Sequence, residues 1–345
     1  MANGLNESDK PLKMVTCGHC KAKTFIPGGL APFATVPCTK CAHPVMLPVM
    51  MRNFELRTVI ASGGMGTVFT AFDVKLQREV ALKMMKREIA EDKEIMEAFY
   101  REARAGASLN HTNIIHIYSF DEFEGQPYLV MELAGQGSLD QRIETETCVP
   151  ELDVLDVGIK VSSALATALK HNLLHRDIKP GNILYNSEGE PKLVDFGLAR
   201  AAESDQVAES FVYGTPQYVA PEKVNRGKET FLADMYSLGA TMYHALVGQV
   251  PFRSESVDPE EAIQQMTFSH VHTALTPPNQ VATHITQLTS DALCRAMEKN
   301  PAHRFPTYED FRMALEEARS CLLVQQVRAA EQADQPASGK SWWRR

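Results

Sequence analysis

The sequence predicts an α+β chain in which a small cysteine-rich unit precedes a mostly β lobe and a larger, mostly α lobe. Three observations carry this. Two C-x-x-C pairs fall within the stretch from Val15 to about Val49. From Phe54, short apolar runs alternate with turn residues, as strands do. After Gly137, apolar residues recur at helical spacing.

At roughly 150 residues per domain, a chain of 345 residues holds about two domains, or one bilobal domain with a small module. A hydrophobic fraction of 44% supports a packed core. The net charge of −8, from 43 acidic and 35 basic side chains, disfavours nucleic acid as a partner of the whole chain. The polar start, Met1 to Lys10, has no apolar stretch of a secretory signal. No run of about 18 apolar residues predicts a spanning helix. Of seven cysteines, Cys148, Cys294 and Cys321 are scattered. That usage fits metal binding in a reducing, cytoplasmic setting better than a disulfide framework.

In chain order, residues 1–13 read as a flexible tail and 14–49 as the cysteine module. The strand candidates are Phe54–Ile60, Thr67–Asp73, Arg78–Lys83 and Tyr128–Leu133. Ile95, Phe99, Ala103, Gly106 and Leu109 recur at helical spacing between them. Val154–Leu169, Asp234–Val247 and Asp310–Val324 carry helical patterns. Lobes over 54–134 and 135–318 follow. Residues 319–345 hold a helix end and an Ala/Gln/Ser-rich tail, expected to be disordered from about Arg328.

Cys17-Gly-His-Cys20 and Cys38-Thr-Lys-Cys41 form C-x₂-C-x₁₇-C-x₂-C. Two such knuckles offer four thiolates to one tetrahedral Zn²⁺. A unit this small needs the metal to fold. His19 and His43 are available nitrogens, but four cysteines already fill the shell. An iron site of rubredoxin type is the alternative, since geometry alone does not separate the metals. The unit resembles small bacterial zinc ribbons, with a structural or partner-docking role.

Ile60, Ala61, Ser62, Gly63, Gly64, Met65, Gly66, Thr67 and Val68 make a glycine-rich turn between two strand-like runs. Glycines let backbone N–H groups approach a phosphate. The run continues as strand rather than helix, against a dinucleotide-binding loop, and no Walker motif is present. Val80-Ala81-Leu82-Lys83 puts a lysine at the end of the next strand. Glu102 lies three residues after Phe99 and seven after Ile95, on the inward face of its helix. A buried carboxylate there needs a cation, and Lys83 is the natural one.

His175-Arg-Asp-Ile-Lys-Pro-Gly-Asn182 and Asp195-Phe-Gly197 complete a set that resembles the protein-kinase signature, in order, from about Phe54 to about Glu317. The resemblance implies a bilobal protein-kinase fold, with a β-rich N-lobe and an α-helical C-lobe, that transfers phosphate from ATP to proteins. It implies that Asp177 orients the acceptor hydroxyl and takes its proton, and that Lys179 holds the γ-phosphate. Asn182 and Asp195 would coordinate Mg²⁺, and Lys83, fixed by Glu102, would hold the α- and β-phosphates. Ala81 and Val68 would pack on the purine, with Met131 as gatekeeper and Glu132, Leu133 and Ala134 as hinge. Lys179 and the segment Gly214–Glu222, whose Thr215 would bridge Asp177 and Lys179, resemble the serine/threonine version. Glu222 would pair with Arg304, and Asp234 would anchor the catalytic loop. A homodimer that phosphorylates itself follows by family analogy alone.

Two departures stand out. Ala61 replaces the first glycine of the loop, which predicts a stiffer loop or a higher KM for ATP, with catalysis retained. Glu209, beside Ser210, occupies the position where related kinases carry a phosphothreonine; Ser204, Tyr213 and Thr215 are the other hydroxyls. Arg176 awaits an anion in that family, and Glu209 is expected to supply part of it, the alternative being a solvated Glu209 with phosphorylation of Ser210 as the switch. A catalytically dead nucleotide scaffold would lack one of Lys83, Glu102, Asp177, Asn182 or Asp195, and all are present. A small-molecule or lipid kinase is disfavoured by the Gly214–Glu222 segment.

Overall fold

A computed structural model describes residues 11–63, 66–87, 93–196, 200–201 and 215–333. Of the expected tails, residues 1–10 and 334–345 lie outside these, whereas residues 328–333, expected to be disordered, continue the helix Tyr308–Ala333. The chain divides into two units, Met1–Asn110 with Ile115–Gly135, and His111–Ile114 with Gln136–Arg345.

The first unit joins the cysteine module to a sheet. Strands β1 (Leu12–Thr16) and β2 (Lys23–Pro27) form a hairpin, and β3 (Val36–Pro37) pairs with β4 (Pro44–Val45). β1 thus begins within the stretch expected as tail, because Leu12 pairs with Pro27. The chain then enters a six-stranded antiparallel sheet through β5 (Val49–Met51). β6 (Phe54–Ser62), β7 (Gly66–Asp73), β8 (Arg78–Met85), β9 (Ile117–Phe123) and β10 (Gln126–Met131) follow, in the spatial order β5-β6-β7-β8-β10-β9.

Alternation along these strands gives the sheet two faces. Register puts Val68, Lys83 and Leu129 in one row, and Thr70, Ala81 and Met131 in the next, on one face. The helix Lys93–Ser108 covers part of it, with Ala103 buried against Met85 and Leu129. The other face presents Phe69, Leu82, Val130 and Tyr128. It is sealed by the cysteine module, whose Met46 is buried in the same cluster and whose Phe33 packs against it. The module is therefore the cover of one face of this sheet.

In the second unit the helix Glu151–Lys170 is the axis, with Val154, Leu155, Val161 and Leu165 buried along one stripe. The helices Phe231–Val247 and Tyr308–Ala333 pack against it. Thr230 caps the first of these by accepting from the Leu232 amide, and Gly248 ends it at φ +74°, a conformation suited to glycine. Asp258 caps the helix Pro259–His272 by accepting from the Glu261 amide.

His270 on that helix is fully buried. Its Nε2–H donates to the Gln217 carbonyl at 3.1 Å, and its Nδ1 accepts from the Tyr236 hydroxyl at 2.8 Å. Burial, and then the Lys299 ammonium, push its pKa down to about 3. The unfolded chain binds this proton below about 6.5 and the folded chain does not, so the contribution is complete above pH 6.5 and is lost on acidification toward pH 3. His270→Gln is expected to flatten the fall in urea midpoint between pH 6 and pH 4, read by far-UV circular dichroism. The removed slope is at most one proton, about 1.4 kcal/mol per pH unit. Equal slopes in both proteins would refute the assignment.

Candidate functional sites

The loop from His175 to Asn182 is held by one buried carboxylate. Asp234, 3% exposed, accepts from the amides of His175 and Arg176, both at 2.7 Å. Burial raises its pKa, against the pull of His175 and those two amides. His175, fully buried, donates through Nε2–H to the Val194 carbonyl at 2.9 Å, which ties this loop to the segment that carries Asp195. The Val194 amide in turn donates to the Asn182 carbonyl at 3.0 Å.

Around Asp177 the side chains converge. Lys179 Nζ lies 2.8 Å from Asp177 Oδ2, Asn182 Nδ2 donates to the same oxygen at 3.1 Å, and Thr215 Oγ1 donates to Oδ1 at 3.4 Å. The carboxylate is thus aimed by three donors from three points of the chain. Because its NH₂ is spent on Asp177, Asn182 has Oδ1 left as the atom that could take a cation. Asp195 is exposed, at φ +62°, and directly follows Val194. An amide oxygen and a carboxylate are the donors that Mg²⁺ prefers, so the residues fit that ion.

Among the described residues, Arg176 meets a carboxylate that no motif announced. Its Nε lies 3.6 Å from Glu229 Oε2, and Lys223 Nζ is 4.0 Å from the same oxygen. Glu209, Ser210, Ser204 and Tyr213 lie outside the described residues, as do Gly64, Met65, Gly197 and Gly214. Glu229 carried no signal in the sequence, since it belongs to no motif and reaches Arg176 only through the fold. The Glu222–Arg304 pair is present, with oxygens at 2.7 and 2.8 Å from the two terminal nitrogens.

In the sheet unit, Ala61 lies in the β6–β7 ladder opposite Val68, where a methyl group is an ordinary strand side chain. Gly66 is required for another reason: a Cβ there would run into the Met84 carbonyl oxygen. The turn closes through Gly63 N–H donating to the Gly66 carbonyl at 2.9 Å, and Ile60 and Ser62 are exposed beside it. Met131 ends β10, and Glu132, Leu133 and Ala134 follow without secondary structure. The Glu132 carboxylate is held by His116 Nδ1 at 3.1 Å. The Glu102 side chain lies outside those described.

The second site is the cysteine cluster. The four Sγ atoms of Cys17, Cys20, Cys38 and Cys41 lie within 4.8 Å of one another. Cys17–Cys41 and Cys20–Cys38 are each 3.7 Å apart. A tetrahedron with metal–sulfur bonds of about 2.3 Å has edges of about 3.8 Å. The two knuckles repeat one geometry. Cys17 N–H donates to the Ala22 carbonyl and Cys38 N–H to that of His43, while Lys21 and Ala42 return to the Cys17 and Cys38 carbonyls. Both returning residues have φ near +60°. The Thr24 hydroxyl, followed by the backbone amides of Lys40 and Cys41, pulls the Cys38 thiol down to about 6, which favours thiolate at neutral pH.

Residues 54–311 match the family model described as protein kinase domain. The serine/threonine-protein kinase PrkC of Bacillus subtilis is 31% identical over 82% of this chain and 43% of its own length. PknB of Mycobacterium leprae is 32% identical over 78% of this chain and 43% of its own. A probable serine/threonine-protein kinase of Clostridium perfringens is 32% identical over 76% of this chain and 38% of its own. The chain thus spans less than half the length of these relatives. Among the described residues, no helix is long and apolar enough to cross a membrane.

Proposed function

Because this chain belongs to the protein kinase family, we propose that it transfers the γ-phosphate of ATP to serine and threonine hydroxyls of proteins, itself included. The observation that carries this reading is the set of three donors on Asp177. A carboxylate fixed by Lys179, Asn182 and Thr215 can align an acceptor hydroxyl and accept its proton as the new bond forms. Lys179 lies beside that carboxylate, where it can also meet the transferring phosphoryl group. The reading assigns Mg²⁺ to Asn182 and Asp195; when bound, the ion offsets phosphate charge. Lys83, with Glu102 as its partner, and the glycine turn are assigned to ATP phosphates. Ala81, Val68 and Met131–Ala134 are assigned to its base. Incubation with labelled ATP, Mg²⁺ and a generic protein substrate tests the proposal. Labelled phosphoserine and phosphothreonine are expected, and Asp177→Asn should lower them by about a hundredfold or more.

The cysteine cluster is assigned one structural Zn²⁺ in a ribbon over 14–49, ahead of a kinase domain over 54–318. The sulfur spacing supports a tetrahedral metal, and four thiolates suit zinc. Elemental analysis of the purified chain should give one zinc per molecule and a colourless protein, and Cys38→Ser should release it. A red protein holding iron, or one holding no metal, would overturn the zinc assignment.

A further inference from the structure

Both cysteine knuckles rest on two consecutive residues of β6, just before the glycine turn. His43, part of the second knuckle, donates through Nε2–H to the Val59 carbonyl at 2.9 Å. Gly18, inside the first knuckle, lies so close to Thr58 that a Cβ there would stand 3.0 Å from Thr58 Oγ1. The two knuckles are joined to each other by the stacked rings of His19 and His43, 5.3 Å apart.

This support falls where the sheet is least regular. The β6–β7 register slips between Leu56 and Thr58 and again between Val59 and Ala61, so that Arg57 and Ile60 are extra residues. A bulge interrupts the ladder and lets the strand bend. Val59 is therefore the last well-packed point of β6, 2% exposed, before the chain turns out through exposed Ile60, Ala61 and Ser62. The module holds that point by a hydrogen bond from the side rather than along the ladder.

We propose that His43 is a positioning residue for the nucleotide turn, and that the metal, by fixing the knuckle that carries it, tunes the affinity for ATP. The inference rests on the kinase reading, and its second half also on the metal reading. With the metal in place, the Cys38–His43 loop presents Nε2 to Val59 at a fixed height, and the turn leaves β6 in one direction. Without it, the four sulfurs, all within 4.8 Å of one another, are linked only by weak thiol contacts, and the support under β6 loosens. The groups gathered around Asp177 belong to the other unit and are untouched, so the effect falls on nucleotide binding rather than on transfer.

The test uses the full chain, the fluorescent nucleotide mant-ATP, elemental analysis and steady-state kinetics. His43→Ala with one zinc per molecule is expected to raise both the mant-ATP Kd and the KM for ATP about fivefold, as for one lost hydrogen bond, with kcat within about twofold. His43→Gln, whose amide can donate to the same carbonyl, should recover most of the loss. Removing zinc from the wild-type chain with a chelator should raise the Kd at least as much and increase deuterium uptake over residues 56–63. A zinc-loaded His43→Ala protein with unchanged Kd overturns the positioning role, as does a fall in kcat with Kd unchanged. Should that variant not fold, an unchanged Kd after complete zinc removal overturns the proposal. A wild-type chain that never held metal sinks the zinc assignment and the tuning, while the Ala and Gln pair still decides the role of His43.

Discussion

Asp177→Asn is expected to lower phosphoryl transfer by about 10²–10⁴-fold while leaving nucleotide affinity and folding close to wild type. The size follows from what the carboxylate is placed to do. Its two oxygens accept from Lys179, Asn182 and Thr215, so its orientation is fixed before any acceptor arrives. An asparagine fits the same space. Its oxygen can stay toward Lys179 and Asn182, and its NH₂ can turn toward the Thr215 hydroxyl, which accepts as well as donates. Packing and most hydrogen bonds survive. What is lost is the negative charge that offsets Lys179 and the basicity that takes the acceptor proton. Single-turnover transfer from labelled ATP, with mant-ATP binding measured on the same preparation, separates these effects. Transfer within tenfold of wild type would remove Asp177 from the proton-accepting role. A parallel loss of nucleotide binding would mean that Asp177 works in capture rather than in transfer.

How much of this was legible in the sequence depends on how local each requirement is. The loop His175–Asn182 reads directly because phosphoryl transfer needs a base, a cation and an amide at fixed short spacings. The sheet reads from β6, β7, β8 and β10, whose apolar runs are bounded by turn residues. β9 gives no such signal, since most of its side chains are only half-buried or exposed. The β10 run was expected to reach Leu133, but pairing stops at Met131, and Glu132 turns instead to His116. The anchoring of the cysteine module on the sheet was not legible. Met46, Phe33 and His43 sit in no motif, and their partners Leu56, Phe69 and Val59 are set by the fold. The apolar run from Val45 to Met51 was the available clue, because a free-standing ribbon has no use for two buried methionines there. The Arg176–Glu229 contact was equally hidden, because spacing along the chain carries no information about a partner 53 residues away.

The stability prediction with the largest expected effect concerns Arg304. Its side chain is completely buried and makes a two-pronged pair with Glu222, while also donating to the Leu232 carbonyl at 2.7 Å and the Glu298 carbonyl at 2.8 Å. The Tyr236 ring lies 4.9 Å from the guanidinium carbon. The guanidinium thus joins the start of the short helix Pro221–Val224 to the first turn of the helix Phe231–Val247 and to the loop at Glu298, with every contact drawing on one charge. Arg304→Met keeps much of the volume but strands a nearly buried carboxylate and two carbonyls. Breaking one side of a buried pair costs about 3–5 kcal/mol, far above the 0–1 kcal/mol of an exposed pair. Glu222→Gln should cost less, because the arginine keeps its carbonyl acceptors and a neutral amide oxygen in place of the carboxylate. The double variant Glu222→Gln with Arg304→Met should be more stable than the sum of the two single losses predicts, since no charge is then left unpaired. Urea midpoints of the four proteins decide this. A loss below about 1 kcal/mol for Arg304→Met would mean that water reaches the site and the pair behaves as an exposed one. Additive losses would mean that the carbonyl contacts, and not Glu222, hold Arg304 in place. With the expected coupling, the pair also bears on function: Glu222 is seven residues after Thr215, and any shift of its helix is passed along that short segment to the hydroxyl aimed at Asp177.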